Sequence, residues 1–290
     1  MFDFIARPFG VVIKFIYDNL AFQNYGLAII VFTLFVKILL LPLNVKQQRS
    51  MARQQAIAPE LEAIKKKYGG DNKKIQEEQM NLYSKYKINP YSGCLPSLLQ
   101  LPIIFAIYSV VRQPLTYIAR ISSETIEKLS NAAKELSLKT DEISINSHLD
   151  EITQNVTELA GSIRPINMTF MKIFDLGIVP EWKVWTYGSE WKTYLPLLLI
   201  PILAVATSYL QMWVSNRINN GPKKKNEDNA QSQMKGLGGA LKLMPLMTLF
   251  IGFMVPAGLG FYWIVSNIFG ILQTILIKKL STIKKKEGSV

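Results

Sequence analysis

The chain has 290 residues, of which 49% are hydrophobic and only 19% are charged. That balance is too apolar for an average soluble chain and is typical of a membrane protein with several spans. The formal net charge of +12 would also fit a nucleic-acid-binding protein, but the excess lies in short segments beside apolar runs, so we expect no specific DNA partner. The single cysteine, Cys94, excludes an internal disulfide and a cysteine metal cluster, and we expect no metal and no cofactor.

Segment 1–20 is predicted to be an amphipathic helix that lies on the outer surface of the membrane. Apolar residues recur in it at helical spacing, while the basic start and the small-residue cleavage site of a signal peptide are missing. We therefore expect an export signal to have been removed or to be unnecessary. The apolar residues are Phe4, Val11, Val12, Phe15 and Ile16.

Five apolar runs predict five transmembrane helices. Four of them hold 18 to 21 residues, close to the roughly 20 that cross a hydrocarbon core. The fourth run has only 13 residues. As a helix it would cover about 20 Å, so it is expected to thin the membrane or to be shielded by its neighbours. The predicted spans are 26–43, 94–111, 194–214, 243–255 and 259–277.

The segments that connect the spans differ in charge. Segment 44–92 has ten Lys/Arg against five Asp/Glu, segment 215–242 has six against two, and the tail 278–290 has five against one. The longer segment 113–192 has eight against eleven. Because short basic segments stay in the cytoplasm, the charges predict an N-terminus outside and a C-terminus inside. The sequence thus predicts an all-α polytopic membrane protein.

A lysine lies inside the first apolar run. Lys37 is seventh from the predicted inner end at Leu43, about 9 Å in by helical rise. A charge at the centre of a span costs about 2.5–3.5 kcal/mol, although a long stem allows a lysine to snorkel to the surface. Thr33 and Asn44 share the lysine's helix face at spacings of four and seven, so a polar stripe continues toward the cytoplasmic end.

Three further spans carry polar stripes. Ordinary hydrogen bonding between helices, at about 0.6 kcal/mol per bond, explains any one of them. It explains less well why four spans have a stripe while no Asp or Glu in any span pairs with the lysine. A shared water-filled cavity is therefore an alternative to both interhelical packing and snorkelling. The stripes comprise Ser97, Gln100 and Tyr108; Thr207 or Ser208, Gln211 and Ser215; and Trp263, Ser266, Asn267, Gly270 and Gln273.

Segment 44–92 is predicted to form a charged helical hairpin in the cytoplasm. Asp71 or Asn72 can cap its second helix, and a proline and a glycine pair provide the other start and stop signals. Its roughly 40 ordered residues exceed what two adjacent spans need, although a solvated connector is the alternative. The residues that delimit the two helices are Pro59, Gly69, Gly70, Asn89 and Pro90.

Three stretches resemble a known family: PLNVKQQRSM, KINPYSGCLPSLLQLPIIFAIY and LMPLMTLFIGFMVPAGLGFYWIVSNIFGILQ. They are similar to the YidC-type membrane protein insertases, which are relatives of the mitochondrial oxidase-assembly and chloroplast albino proteins. The match covers nearly the whole chain in order. The resemblance implies five transmembrane helices around a hydrophilic groove that opens to the cytoplasm and to lipid and is closed to the outside.

The resemblance also implies roles for individual residues. Lys37 falls on a groove position that is usually arginine in the family, and Gln211 and Trp263 fall on positions associated with the groove wall. The lysine keeps the positive charge but lacks the planar fork that grips a carboxylate with two bonds. Together with the polar stripes, this gives the expected groove residues Lys37, Gln211, Trp263, Thr33, Gln100 and Asn267.

The external segment 122–162 departs from the family's minimal loop. It is richer in charge, and an apolar residue recurs in it every three or four positions. That spacing predicts an added helix or a helical hairpin. The residues concerned are Ile126, Leu129, Ala133 and Leu136.

The implied function is that of a membrane protein insertase and chaperone in the bacterial plasma membrane, without enzymatic chemistry. A wet groove would shorten the path of a polar tail across hydrocarbon, where each unpaired polar group costs several kcal/mol. Expected partners are nascent membrane proteins, the translating ribosome, the Sec translocon and the lipid bilayer. A transporter or channel for a small anion or solute is the alternative, although the sequence lacks the internal symmetry typical of transporters.

Overall fold

The computed structural model describes residues 3–89, 95–156, 163–185, 191–219 and 237–287. Pro90 and Cys94 lie outside these ranges, as does most of the basic segment 215–242. The described residues are predominantly helical, and the expectation of an α-helical fold is confirmed at that level. One short β-hairpin is an addition that the sequence did not predict.

In chain order the helices are α1 (Asp3–Asn19), α2 (Tyr25–Leu39), α3 (Leu41–Ala56), α4 (Ala58–Lys67), α5 (Asn72–Lys85), α6 (Leu95–Arg112), α7 (Ser123–Glu135), α8 (Glu142–Ser147), α9 (Leu149–Asn155), α10 (Trp191–Leu197), α11 (Leu199–Asn219), α12 (Leu237–Gly252) and α13 (Ala257–Glu287). A π-helical turn, Leu115–Ala119, lies between α6 and α7. Strands β1 (Thr169–Phe170) and β2 (Phe174–Asp175) pair antiparallel between α9 and α10.

The chain divides into two compact units. The first unit comprises Met1–Val36, Gln100–Ala206 and Thr248–Ser266. Helices α2, α6, α11, α12 and α13 each supply residues to both units. The second unit comprises Lys37–Leu99, Thr207–Met247 and Asn267–Val290.

In the first unit, α1 has two apolar faces. One is buried: Ile13 and Ile16 are at most 4% exposed, and Gly10 brings the helix against Tyr117 of the π-helical turn. The other face carries Phe4 and Phe15, which are 88% and 60% exposed. The helix therefore buries one apolar face against the protein and leaves a second apolar face exposed.

Segment 122–156 of the first unit folds as three helices, α7, α8 and α9. The side chains of Ser122 and Asp141 accept hydrogen bonds from backbone N–H groups and so cap α7 and α8. The three helices enclose an apolar cluster together with the π-helical turn. Its buried members are Leu115, Leu129, Ala132, Ala133, Ile145, Leu149 and Ile152.

The residues that follow the β-hairpin form hydrogen bonds with the first residues of α13. Met171 and Lys172 occupy the left-handed backbone region at the hairpin turn, with φ of 53° and 60°. Beyond the hairpin, the carbonyl of Leu176 accepts from Gly258 N at 2.7 Å, and the carbonyl of Ile178 accepts from Ala257 N at 2.8 Å. These bonds satisfy two of the N-terminal amides that a helix cannot pair internally.

In the second unit, α4 and α5 coincide with the two helices expected between residues 58 and 88. Asp71 caps α5 by accepting from Lys74 N at 3.1 Å. The pair buries Ile57, Leu82 and Ile88, a smaller cluster than that of α7–α9. The residues before the pair form α3, which extends to Ala56.

The first predicted span is broken. Helix α2 ends at Leu39, and α3 begins at Leu41 at an angle of 61° to it. Pro42 lies in the first turn of α3, where its fixed φ and missing N–H are tolerated. The run 26–43 therefore belongs to two helices, and Lys37 lies in the last turn of the first of them.

Long apolar helices with exposed apolar side chains identify the chain as a helical membrane protein. Helices Trp191–Ile218 and Ala257–Lys279 are each long and apolar enough to cross a bilayer, and the bent pair α2–α3 gives a third if it forms one span. Helix Gln100–Arg112 is apolar but shorter. Among the exposed side chains are Leu34, Phe35, Ile38 and Leu39 on α2; Ile202, Leu203 and Leu210 on α11; Met247 and Phe250 on α12; and Ile268, Leu272 and Leu276 on α13.

Candidate functional site

The six expected groove residues are divided between the two units. Thr33, Gln100 and Trp263 belong to the first unit, and the others belong to the second. Each unit has polar contacts of its own between apolar helices. Those of the second unit form the larger set and involve Asn267 among the expected groove residues.

Asn267 joins α13 to α11 in the second unit. Its side-chain amide donates to Thr207 Oγ1 at 3.0 Å and to Ser208 Oγ at 2.9 Å. The polar stripes that the sequence placed on these two helices therefore face each other. Hydrogen bonds of this kind hold apolar helices together in lipid, where polar groups have no water to bind.

Asn44 and Gln48 join α3 to the same helix one to two turns further on. Asn44 Nδ2 donates to Gln273 Oε1 at 3.2 Å, and Gln48 Nε2 donates to Thr274 Oγ1 at 3.0 Å. Sequence reasoning had not selected Gln48 or Thr274. Both continue stripes that it had recognised, since Gln48 is four residues after Asn44 and Thr274 is seven after Asn267. We call this set of contacts on α3, α11 and α13 the polar seam.

One donor in the polar seam has no partner among the residues that the structure describes. The Nε2 atom of Gln273 is buried and forms no hydrogen bond with them, although Oε1 of the same side chain accepts from Asn44. An amide N–H without an acceptor in such a place is costly unless water or another molecule binds it. The polar seam therefore has spare hydrogen-bonding capacity that packing of these helices leaves unused.

Gln211 lies where α11 passes close to Gly270 of α13. A Cβ atom at Gly270 would overlap the Gln211 side-chain amide, so a larger residue there would displace this amide from its position. The amide is half-buried and polar on a helix whose neighbouring residues Leu210 and Trp213 are exposed and apolar. Gln211 thus belongs to the polar seam by position.

Lys37 is half-buried in the last turn of α2. Within the described ranges no carboxylate forms an ion pair with it. A cation in the last turn is stabilised by the helix dipole, and the bend at Leu40 ends the helix only two residues later. The charge is therefore nearer a helix end than the straight span 26–43 suggested, which makes its position less costly.

The three expected groove residues of the first unit differ in their burial and in their hydrogen bonds. Thr33 is 1% exposed and its hydroxyl donates to Ile29 O at 2.6 Å, so it presents no free polar group. Gln100 Nε2 donates to the hydroxyl of Tyr262, a buried residue that sequence reasoning missed because tyrosine also reads as apolar. Trp263 is half-buried.

Four of the five predicted hairpin residues fall within the described ranges, and Pro90 lies outside them. Pro59 lies in the first turn of α4, and Gly69 and Gly70 follow its end, with Gly70 at φ +99°. That backbone conformation favours glycine, which explains the pair at the turn. The carbonyl of Asn89 accepts from Gln54 Nε2 at 3.2 Å and so ties the end of the hairpin to α3.

Comparison with known proteins gives matches along nearly the whole chain. The family model described as 60Kd inner membrane protein matches residues 15–286. The membrane protein insertase YidC 2 of Bacillus anthracis is 30% identical over 280 residues, which are 95% of this chain and 80% of that protein. The membrane protein insertase YidC of Caldanaerobacter subterraneus subsp. tengcongensis is 30% identical over 284 residues, which are 97% of each chain.

Relatives also differ in length. The membrane protein insertase YidC of Pseudomonas putida (strain GB-1) is 28% identical over 99% of this chain, but the match covers only 37% of that protein. Relatives of similar length, by contrast, align over nearly all of both sequences. The chain therefore belongs to the 60Kd inner membrane protein family, which includes the YidC-type membrane protein insertases.

Proposed function

We propose that this chain is a membrane protein insertase of the bacterial plasma membrane. The relatives that match it over most of their length carry that name. Its role would be to take a short polar tail of a newly made membrane protein across the bilayer and to release the apolar segment into lipid. Such a process requires binding and hydration but no covalent chemistry, so the protein would not be an enzyme.

The observation that carries the proposal is the spare hydrogen-bonding capacity of the polar seam. Asparagine, glutamine, serine and threonine side chains face one another across three helices, and the buried Gln273 amide has a donor left over. Water or the polar backbone of a client can bind such a donor. We infer that the polar seam lines the hydrophilic groove, with Gln211 and Asn267 on its wall. Gln100 and Trp263 stay predicted groove residues.

Lys37 would supply attraction in the groove. Two opposite unit charges 4 Å apart attract by about 1 kcal/mol in water and by about 4 kcal/mol at an effective dielectric constant of 20. Because no described carboxylate neutralises Lys37, an acidic residue in a client tail can be drawn toward it. Arginine at this position would serve equally well for this long-range term, while a bidentate grip would be lost with lysine.

The finer topology belongs to the same proposal. We propose five spans, made by α2, α6, α10–α11, α12 and α13, with the N-terminus outside and the basic segments inside. Helix α12 has 16 residues and measures about 24 Å, so it would thin the bilayer beside it. The basic hairpin α4–α5 would meet the translating ribosome, and the protein would work alone or beside the Sec translocon.

The test replaces Lys37 and measures insertion of two matched client sets, one with Asp or Glu in the translocated tail and one with neutral tails. Lys37→Arg should insert both sets, whereas Lys37→Leu should insert acidic tails poorly and neutral tails nearly normally. Lys46→Leu is a matched control, because Lys46 is exposed on α3 of the same unit. The measurement is protease protection of the tails in cells depleted of other insertases.

Two outcomes would contradict the proposal. Normal insertion of both sets by Lys37→Leu would show that the lysine only reaches the inner surface and does not act on the client. Failure of the wild-type chain to insert any client, combined with uptake of a small anion into vesicles, would favour the transporter alternative instead.

A further inference from the structure

The first unit contains a second candidate site, which shares no residue with the polar seam. A cavity of about 570 Å³ opens where α1, the π-helical turn and the helices α7 and α8 meet. Its walls combine two cations, Arg7 and Arg120, with the polar side chains of Gln113 and Ser123 and the apolar side chains of Val11 and Ile126. The volume is that of a small-molecule binding site.

The two arginines come from separate elements and remain available. Arg7 lies on α1, and Arg120 ends the π-helical turn. Both are exposed, and among the described residues neither forms an ion pair with a carboxylate. Arg120 occupies the left-handed backbone region at φ 56°, which is uncommon for a residue other than glycine or asparagine. The side chains of both arginines line the cavity.

An acidic residue also lines the cavity but is engaged elsewhere. The carboxylate of Glu142 is 8% exposed and accepts from Thr116 N at 2.8 Å and from Thr116 Oγ1 at 2.5 Å. Those bonds hold both oxygens against the π-helical turn. The two arginines therefore give the cavity a net positive charge that Glu142 only partly offsets.

The apolar lining indicates the kind of anion. Val11 extends the exposed apolar stripe that Phe4 and Phe15 form along α1, while Ile121 and Ile126 line the cavity. An inorganic anion alone would not use these side chains. A phospholipid headgroup needs both features, because its phosphate binds guanidinium forks and its acyl chains continue along apolar surface.

We propose that this cavity binds the phosphate of an anionic phospholipid headgroup between Arg7 and Arg120. The bound lipid contacts α1 through Arg7 and the π-helical turn through Arg120. This site is independent of client insertion, since none of its residues belongs to the polar seam. Its chemistry is shared with free phosphate, so the experiment includes both.

The test is calorimetric titration of the purified full-length chain in a neutral detergent at low ionic strength. The probes are dihexanoylphosphatidylglycerol, dihexanoylglycerol, which lacks the phosphate, and sodium phosphate. Arg7→Gln combined with Arg120→Gln should weaken phosphatidylglycerol binding at least about tenfold, because charged hydrogen bonds to phosphate are lost. Arg7→Lys with Arg120→Lys should give an intermediate loss, since charge is kept without the fork.

The matched control is Lys139→Gln combined with Arg164→Gln, which removes two charges from exposed positions of the same unit outside the cavity. It should bind phosphatidylglycerol like the wild type. Sodium phosphate that displaces the lipid at equal concentration would assign the site to free phosphate. Equal binding of dihexanoylglycerol, or equal phosphatidylglycerol binding by the double glutamine variant, would overturn the proposal.

Discussion

Two charged helical segments lie outside the long apolar helices, and they are built differently. The segment α7–α9 encloses seven buried apolar residues, six of them at most 1% exposed. The segment α4–α5 shares a cluster of three, each between 3% and 8% exposed. Resistance to local opening grows with the apolar surface that a segment buries, so α7–α9 should stay closed while α4–α5 opens more readily.

Polar anchors strengthen this difference. The Asn146 side chain donates to Ile166 O at 2.9 Å and accepts from Ile166 N at 2.7 Å, and both groups are buried. In the other segment, the hydroxyl of Tyr86 donates to Glu60 Oε1 at 2.5 Å in an exposed position. A closed segment suits a scaffold. A segment that adapts its surface suits the handling of clients with varied sequences.

The largest effect is expected from deleting each segment in turn. Removal of 59–88 with the ends bridged should leave the apolar helices inserted but abolish or severely reduce client insertion, because an adaptable surface is lost. Removal of 122–162 should affect insertion much less. It should lower stability, however, because it exposes Leu115 and removes the partner of the Ile166 backbone.

The measurement is growth complementation and tail protection at matched expression, with thermal unfolding of the purified variants as the stability readout. Normal complementation by the 59–88 deletion would reduce α4–α5 to a connector. Loss of insertion by a stable 122–162 deletion would show that segment 122–162 acts on clients.

A matched pair of leucine substitutions tests the packing difference directly. Leu149→Ala empties a site that is 1% exposed in the large cluster and should destabilise α7–α9 by about 3 kcal/mol. Leu82→Ala alters the small cluster, where Leu82 is 7% exposed, and should cost about 1 kcal/mol. Hydrogen exchange of each segment measures both losses, and equal losses would refute the distinction.

The sequence predicted the segments with strong local signals. The Gly69–Gly70 pair and the Asp71 cap mark the turn between α4 and α5. Apolar spacing from Ile126 to Leu136 marks α7. The facing stripes of α11 and α13 also anticipated the bonds from Asn267. In each case the cause lies within a few residues, as a cap, a turn or a helical repeat.

Other features depend on contacts that the local sequence does not encode. The bend at Leu40 had one signal, Pro42, which an unbroken apolar run obscured. The β-hairpin has two-residue strands and places Met171 and Lys172 in a conformation that usually calls for glycine or asparagine. Gln48 and Thr274 became partners only through the packing of distant helices. Tertiary contacts override local preference at such places.

A pH-dependent difference is expected between wild type and Glu142→Gln. Burial raises the pKa of the Glu142 carboxyl above its ordinary 4.5, against the hydrogen bonds from Thr116. The native state therefore binds this proton more tightly than the unfolded state, so the contribution to stability is present below pH 4.5 and lost as pH rises through the raised pKa. A glutamine at position 142 does not titrate, so its variant does not lose this stability as the pH rises.

Glu142→Gln should consequently gain stability relative to wild type as the pH rises from the ordinary value of 4.5 through the raised pKa of the Glu142 carboxyl. Glutamine keeps an acceptor for Thr116 N, and the Thr116 hydroxyl can accept from its amide. Thermal unfolding across that range gives the difference. A constant difference at every pH would mean that the Glu142 carboxyl titrates alike in both states.

The smallest effect is expected from the cap of α5. Asp71→Ala removes the acceptor of Lys74 N and should weaken α5 by about 1 kcal/mol. Asn72→Ala, one residue later on an exposed face, is the control and should change little. Hydrogen exchange in the first turn of α5 reports the loss. An unchanged rate after Asp71→Ala would mean that the turn is held by packing rather than by the cap.

The start of α13 has a consequence for the electrical integrity of the membrane. A free helix N-terminus attracts water and anions, but here Ala257 N and Gly258 N are bound to Ile178 O and Leu176 O. A Cβ at Gly258 would lie 3.1 Å from Leu176 O and 3.2 Å from Val111, so little space remains for a solvent molecule. We expect such a junction to exclude water and therefore to conduct neither protons nor ions. If the polar seam hydrates polar tails, as we propose, this junction would leave the proton-motive force intact.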